Sequence, residues 1–262
     1  MKHRSLLRVC VLLIAAGFLA TGCRTMLKPF RSPLRVGITP DFPPIIMKED
    51  GILRGLEVDF AVRLADELGR RLDFIELPWE RQISALSSGQ IDLIMSGMSA
   101  TDLRRIRVDF CNPYMTSGQM ALVRRREAGR YKTREDIMGT YARIGVKKGT
   151  TGDMFVQEKC LGAKPVQYLV PNDAALAVRN RRLDIFVYDA PAIWWLASEY
   201  ESDLTVVPVL LTQEDFSWGI KPGNTILKQK VNAVLDEWKT DGTLDRLLDR
   251  WIPAMADDRL KR

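Results

Sequence analysis

Between residues 34 and 95 the apolar residues change period repeatedly, and that switching restricts the chain to alternating strands and helices. Leu34-Arg35-Val36-Gly37-Ile38 alternates like a half-buried strand and runs into Thr39-Pro40-Asp41-Phe42-Pro43-Pro44, whose prolines force an extended turn. Phe60, Ala61, Leu64 and Leu68 then recur at helical spacing across 56–68, and Gly69 closes the segment. A strand over 72–77, a helix over 80–87, a turn at Gly89-Gln90 and a buried strand over 91–95 follow. Strand–helix–strand–helix–strand predicts a mainly parallel sheet covered by helices. A second block repeats the pattern, with strands at 121–123 and 144–146, a helix from 150 to 158, a strand at 166–169, a helix at 173–179 and a buried strand at 185–188. Leu227, Val231, Val234, Leu235 and Trp238 mark an amphipathic helix. Asp241-Gly242-Thr243 ends it and starts another with Leu244, Leu247, Leu248 and Trp251 on its inner face. Two α/β lobes with a binding cleft between them is the expected architecture.

The first 22 residues read as a signal rather than as part of the fold. Lys2, Arg4 and Arg8 precede a short apolar run, Val9 to Leu19, too short for a permanent span. The run ends Leu19-Ala20-Thr21-Gly22-Cys23, small residues leading into a cysteine, as in a bacterial lipobox. Cys23 is therefore the expected lipidation site, and two acyl chains there would hold the protein on a membrane. Residues 23–33, with Lys28-Pro29 and Ser32-Pro33, read as a tether. No later stretch is apolar for long enough to cross a bilayer.

Histidine and cysteine usage excludes whole classes of chemistry. The only histidine is His3, inside the signal, so the mature chain has no histidine base, no Ser-His-Asp or Cys-His couple and no histidine metal ligand. Cys111 and Cys160 are the cysteines left after the signal and anchor, at no metal-like spacing, and are read as two separate thiols. The mature part is mildly basic and well mixed, which argues against a nucleic-acid stripe. The Arg124-Arg125-Arg126 cluster reads as a solvated strand end. No cofactor is expected.

Several segments carry candidate ligand chemistry. Ser96-Gly97-Met98-Ser99 follows a buried strand, where open α/β sheets bind ligands, and Thr101 is placed to cap the helix that holds Arg104. A guanidinium in a first helical turn is poorly placed for the helix dipole and suits a carboxylate; the alternative is a surface pair with Asp102 or Asp109. Gly149-Thr150-Thr151-Gly152 puts amides and hydroxyls at a helix start, which suits an anion or merely a cap. Asp189 ends the strand 185–188 and is either an ammonium partner or a helix N-cap. Phe42 is either an aromatic wall for a ligand or an inward staple, and Trp194-Trp195 reads as lobe core.

Taken in order, Gly37…Phe42-Pro43-Pro44, Gly55-Leu56-Glu57-Val58-Asp59, Gly89-Gln90-Ile91-Asp92, Gly97-Met98-Ser99-Ala100-Thr101-Asp102-Leu103-Arg104 and Val108-Asp109-Phe110-Cys111-Asn112-Pro113-Tyr114 resemble the polar amino-acid solute-binding proteins, family 3. So do Gly149-Thr150-Thr151, Arg182-Leu183-Asp184…Asp189 and Asp241-Gly242-Thr243…Trp251, and the resemblance spans about 34 to 253. It implies a periplasmic-binding-protein type II fold with two crossover strands: lobe 1 from 34–118 plus 217–253, lobe 2 from 119–216, and a tail at 254–262. It also implies that Arg104 grips an α-carboxylate with Ser99 and Thr151, beside Thr150, that Asp189 and the Gly97 carbonyl hold an α-ammonium, and that Phe42 covers the side chain. The implied role is capture of an amino acid outside the cytoplasmic membrane by a lipid-anchored monomer, for delivery to the permease of an ABC importer. A ligand-presenting sensor is a second reading. A cyclohexadienyl dehydratase is a third, weakened because Gly149-Thr150-Thr151-Gly152-Asp153 stands where those enzymes have Gly-Thr-Asn-Glu. Thr39 stands where binders of basic amino acids usually have an acid.

Overall fold

The strand Leu34–Ile38 pairs in parallel with Leu72–Glu76 on one side and Leu93–Ile94 on the other, as the strand–helix–strand order requires. The computed structural model describes residues 32–253; the signal, Cys23, the tether up to Arg31 and the tail 254–262 lie outside the described residues. The sheet is completed by Gly219–Ile220, antiparallel to both neighbours, and by Asp109–Phe110 at its edge. A second five-stranded sheet runs Lys164–Tyr168, Arg143–Lys147, Ile185–Asp189, Gln119–Arg124, Leu204–Val207. Its first three strands are parallel, and Gln119–Arg124 is antiparallel to both neighbours. Each sheet is thus mixed rather than wholly parallel. Two short strands, Met115–Ser117 and Glu214–Phe216, pair antiparallel where the chain passes from one sheet to the other and back.

The helix Leu56–Glu67 buries Leu56, Phe60, Ala61, Leu64 and Ala65, the face its spacing predicts. Phe60 stacks on Trp238 of the helix Thr225–Thr240 (ring centroids 5.8 Å apart) and meets Tyr114 and Trp218 edge-on. Aromatic pairs of this kind add about 0.5–1.5 kcal/mol each beyond area burial, and they fasten the returning helices to the first lobe. A small antiparallel sheet, Asp41–Phe42, Ile46–Glu49 and Ile52–Arg54, was not anticipated, because strands this short leave no readable alternation.

Arg125 and Arg126 are exposed beyond the strand end, as expected of a solvated arginine cluster, but Arg124 departs from that expectation. Its side chain is largely buried, donates to the backbone carbonyls of Val178 and Leu183, and pairs with Glu127 and Asp184. Arg125 donates to the Glu201 carbonyl. Cys111 and Cys160 are separate buried thiols, and burial pushes their pKa values up to about 12 and about 11, which leaves them unreactive at neutral pH. No helix among the described residues is long and apolar enough to cross a membrane.

Candidate functional site

Strand register brings the carboxyl ends of four parallel strands to one cleft. In the first sheet Gly37 pairs with Ile94, so the chain leaving Ile38 runs beside Met95 and Ser96, and the Thr39 amide donates to Ser96 Oγ at 2.8 Å. In the second sheet Val146 pairs with Val187, which sets Lys147–Thr151 next to Tyr188 and Asp189. Phe42, Trp79, Ser96, Gly97, Ser99, Arg104, Thr150, Thr151, Tyr188 and Asp189 enclose a cavity of about 10 Å³, room for about one water. Every residue singled out in the sequence as ligand-binding lines this cavity. A larger cavity of about 1130 Å³ lies against the crossover strand, between Pro113–Ser117, Leu210–Gln213 and Leu244–Ile252. It contains neither Arg104 nor Asp189, and the charged residues on its lining are Arg134 and Asp245.

Gly97 is fixed by its surroundings. Its φ is +64°, and a Cβ there would collide with the Phe42 ring. Its amide donates to Glu57 Oε2 at 3.0 Å, and Tyr114 Oη donates to Glu57 Oε1 at 2.6 Å. Burial pushes the Glu57 carboxyl up to about 7, against the hydrogen bonds from Tyr114 and Gly97 that hold it down. Thr101 caps its short helix by accepting from the Arg104 amide, and the Arg104 guanidinium donates to the Ser99 carbonyl at 2.9 Å. Arg104 pairs with neither Asp102 nor Asp109; it lies over the Trp79 ring, 5.1 Å from the centroid. Burial lowers its pKa, partly offset by the carboxylates of Asp189 and Glu214, and it remains a cation.

Asp189 stands at the N-cap position of the helix Ala190–Glu199 without making a side-chain cap. Instead it accepts from Gln119 Nε2 at 2.7 Å, its partner across the antiparallel pair. Asp189 is buried, and burial followed by the nearby Glu214 carboxylate raises its pKa to about 8. Gln119 Nε2 also reaches Thr151 Oγ1 at 3.0 Å and Glu214 Oε1 at 3.3 Å. Ser99 Oγ donates to Glu214 Oε2 at 2.6 Å. Thr150 caps the helix Thr151–Lys159 and donates to the Lys147 carbonyl.

Three contacts close the cleft from its two sides. Lys147 Nζ donates to Asp41 Oδ1 at 2.5 Å, Trp79 Nε1 donates to the Gly149 carbonyl at 3.0 Å, and the rings of Phe42 and Tyr188 lie 5.2 Å apart. Phe42 is thus both core and wall. Trp194 is half-buried and lines the larger cavity instead of the cleft. Sequence reading missed Trp79, Lys147, Tyr188, Gln119 and Glu214. Lys147 and Tyr188 adjoin strand ends already recognised, and that adjacency was a usable signal. Gln119 and Glu214 gave none, because only the crossover pairing brings them in.

A cleft at strand ends, with an arginine from one sheet and an aspartate from the other, is where a known family can be compared. The sequence profile of the bacterial extracellular solute-binding proteins, family 3, matches residues 34–254. The chain belongs to this family. Within it, the chain is 29% identical over 225 residues to the L-cystine-binding protein TcyJ of Escherichia coli K12, covering 86% of this chain and 84% of that protein. It is 32% identical over 223 residues to a probable histidine-binding protein of Campylobacter jejuni, covering 83% and 84% of the two chains. Among solved structures it matches an ancestral amino acid-binding protein, AncCDT-1, described as a precursor of cyclohexadienyl dehydratase. The identity is 34% and the TM-score 0.78, over 84% of this chain and 95% of that one. The α/β fold and the family-3 resemblance read from the sequence are borne out.

Proposed function

We propose that this protein captures a small α-amino acid outside the cytoplasmic membrane, closes its lobes around it and delivers it to the permease of an ABC importer. The observation that carries the reading is that the Arg104 guanidinium and the Asp189 carboxyl, held beside different sheets, line one cavity. A zwitterion spans them: Arg104 and the Thr150-Thr151 helix start take the carboxylate, while Asp189 and the Gly97 carbonyl take the ammonium, with Phe42 and Trp79 flanking the side chain. A ligand held from both sides favours the closed arrangement by its differential affinity for it. In this reading the lobes divide at 118/119 and 216/217, each boundary just after one of the two short strands Met115–Ser117 and Glu214–Phe216. The named relatives bind cystine and histidine, so the pocket class is amino acids. The protein acts as a binder rather than an enzyme: among the described residues there is no histidine, and Asp153 accepts from the Gly149 amide and from the side chains of Gln157 and Gln167 at the helix start, away from the cavity lining. Cys23 carries the lipid that retains the monomer at the membrane.

The test is a thermal-shift screen of the purified protein against the common amino acids, cystine and prephenate, followed by calorimetric titration. One amino acid should bind near micromolar, about −8 kcal/mol, and raise the melting temperature by mass action. Arg104→Ala and Asp189→Asn should each abolish that binding. Turnover of prephenate, or binding that survives both substitutions, would refute the reading.

A further inference from the structure

Glu214 comes from the crossover strand Glu214–Phe216, outside both sheets, yet residues of both reach it. Ser99, on the loop after the first sheet's strand Leu93–Ile94, donates its hydroxyl to Oε2 at 2.6 Å. Gln119, the first residue of a strand in the second sheet, reaches Oε1 at 3.3 Å, and Thr212 donates to the same oxygen at 2.6 Å. The strand itself is held by the pairing of Glu214 with Ser117.

Those bonds fix the polarity of the cavity wall. Because the Ser99 proton is committed to Glu214, the hydroxyl presents lone pairs, not a donor, to the cavity it lines, and so suits an ammonium rather than the carboxylate that the family resemblance implied for it. Because Gln119 directs Nε2 toward Asp189 and Thr151, the Thr151 hydroxyl accepts there and keeps its own proton for a ligand acceptor. Gln119 Oε1 sits where a Cβ at Gly152 would stand, so the glycine makes room for the amide in this position. The part of the cavity lined by Ser99 and Asp189 is thereby rich in acceptors, suited to an ammonium, and a carboxylate on the hinge sets the polarity of Ser99.

We propose that Glu214 is a positioning residue for ligand ammonium, tying Ser99 and Gln119 to the crossover strand so that the ammonium half of the site is assembled only when both lobes meet at the hinge. The inference rests on the amino-acid reading above and adds that the class is primary α-amines: an α-hydroxy or desamino analogue gains nothing from Glu214. The groups facing Asp189 are Glu214, Gln119, Arg104 and Lys147, with Tyr188 adjacent in sequence. Glu214 raises the Asp189 pKa while adding its own attraction for an ammonium, so the two effects separate with pH.

The experiment measures, by calorimetry between about pH 6 and 8.5, the affinity of the tightest binder among histidine, glutamine, arginine and cystine for the wild-type protein, Glu214→Gln, Ser99→Ala and the double variant. Glu214→Gln should weaken binding about tenfold or more at the alkaline end, the size of one charged hydrogen-bond network lost. The deficit should shrink toward pH 6, because Asp189 ionises more readily without its like-charged neighbour. In the Ser99→Ala background the deficit should be smaller. Thr212→Val, which loosens Glu214 without altering charge, should weaken binding several-fold and serves if Glu214→Gln does not fold, a point checked by its ligand-free thermal unfolding. An affinity within about twofold of wild type at every pH, or a deficit of constant size across the range, overturns the inference while leaving the amino-acid reading intact. If none of the four ligands binds the wild-type protein, the amino-acid reading itself fails and this inference falls with it.

Discussion

At the scale of single residues, Glu57 is the most consequential side chain that does not line the cleft. It is fully enclosed, holds the Gly97 amide and the Tyr114 hydroxyl, and its pKa is raised from 4.5 to about 7. A carboxyl that binds its proton more tightly when folded stabilises the fold at acid pH, and the contribution is lost as pH rises through about 7. The shift corresponds to about 3 kcal/mol. Chemical denaturation between pH 5 and 8 should therefore show stability falling, and Glu57→Gln should flatten that fall. Asp189, raised to about 8, contributes in the same direction and remains in the variant, so the slope should diminish without vanishing. Asp184 behaves oppositely: Arg143 holds its carboxyl below the ordinary range, so its contribution is lost only in strong acid, outside this window. A slope unchanged by Glu57→Gln would show that Glu57 is not the titrating group.

At the scale of elements, two helix starts built alike carry different duties. Thr133 caps the helix Arg134–Met138 in a full capping box with Asp136, away from the cleft. Thr150 caps Thr151–Lys159, whose first residue lines the cavity. Thr133→Ala and Thr150→Ala should each cost about 1 kcal/mol, a drop of about 2–4 °C in melting temperature for a chain of this size. Only Thr150→Ala should also weaken ligand binding, because Thr151 shifts with its helix. Scanning calorimetry with and without ligand separates the two, and equal loss of affinity in both variants would defeat the distinction. The helices were readable because their apolar faces repeat: Leu227, Val231, Leu235 and Trp238 are buried together on Thr225–Thr240 as their spacing requires. The small sheet at 41–54 was not readable, since its strands, two to four residues long, are too short to show a sustained alternation.

Across the whole molecule, contacts from both sides close the cleft. A cavity of about 10 Å³ admits no amino acid, so the lobes must part for one to enter. What opposes parting is the set of cross-cleft contacts, of which Lys147–Asp41 is the most costly to break half-way, with the lysine side chain 4% exposed. Asp41→Ala leaves that ammonium without its counter-charge, a situation worth about 3–5 kcal/mol in a rigid interior. Here the hinge offers relief, because opening returns Lys147 to water. Asp41→Ala should therefore open the ligand-free protein rather than unfold it. Small-angle scattering should record a larger radius of gyration with little change in melting temperature, and an unchanged radius would mean that the ion pair does not hold the closed state.

The sequence by itself determined the order of the main strands and helices, the family, and the placement of Ser99, Arg104, Thr151 and Asp189 at or just after strand ends, because periodicity and turn chemistry are local properties. It also shows that the one histidine of the chain, His3, lies outside the described residues, so the described cleft contains no imidazole. Only the tertiary structure decided which groups surround those residues. Glu214 meets Ser99 across 115 positions and Gln119 across 95, while Gln119 meets Asp189 across 70. Those distances are closed by strand register and by the pairing of the crossover strands, long-range hydrogen bonding that leaves no trace in the spacing of apolar residues along the chain.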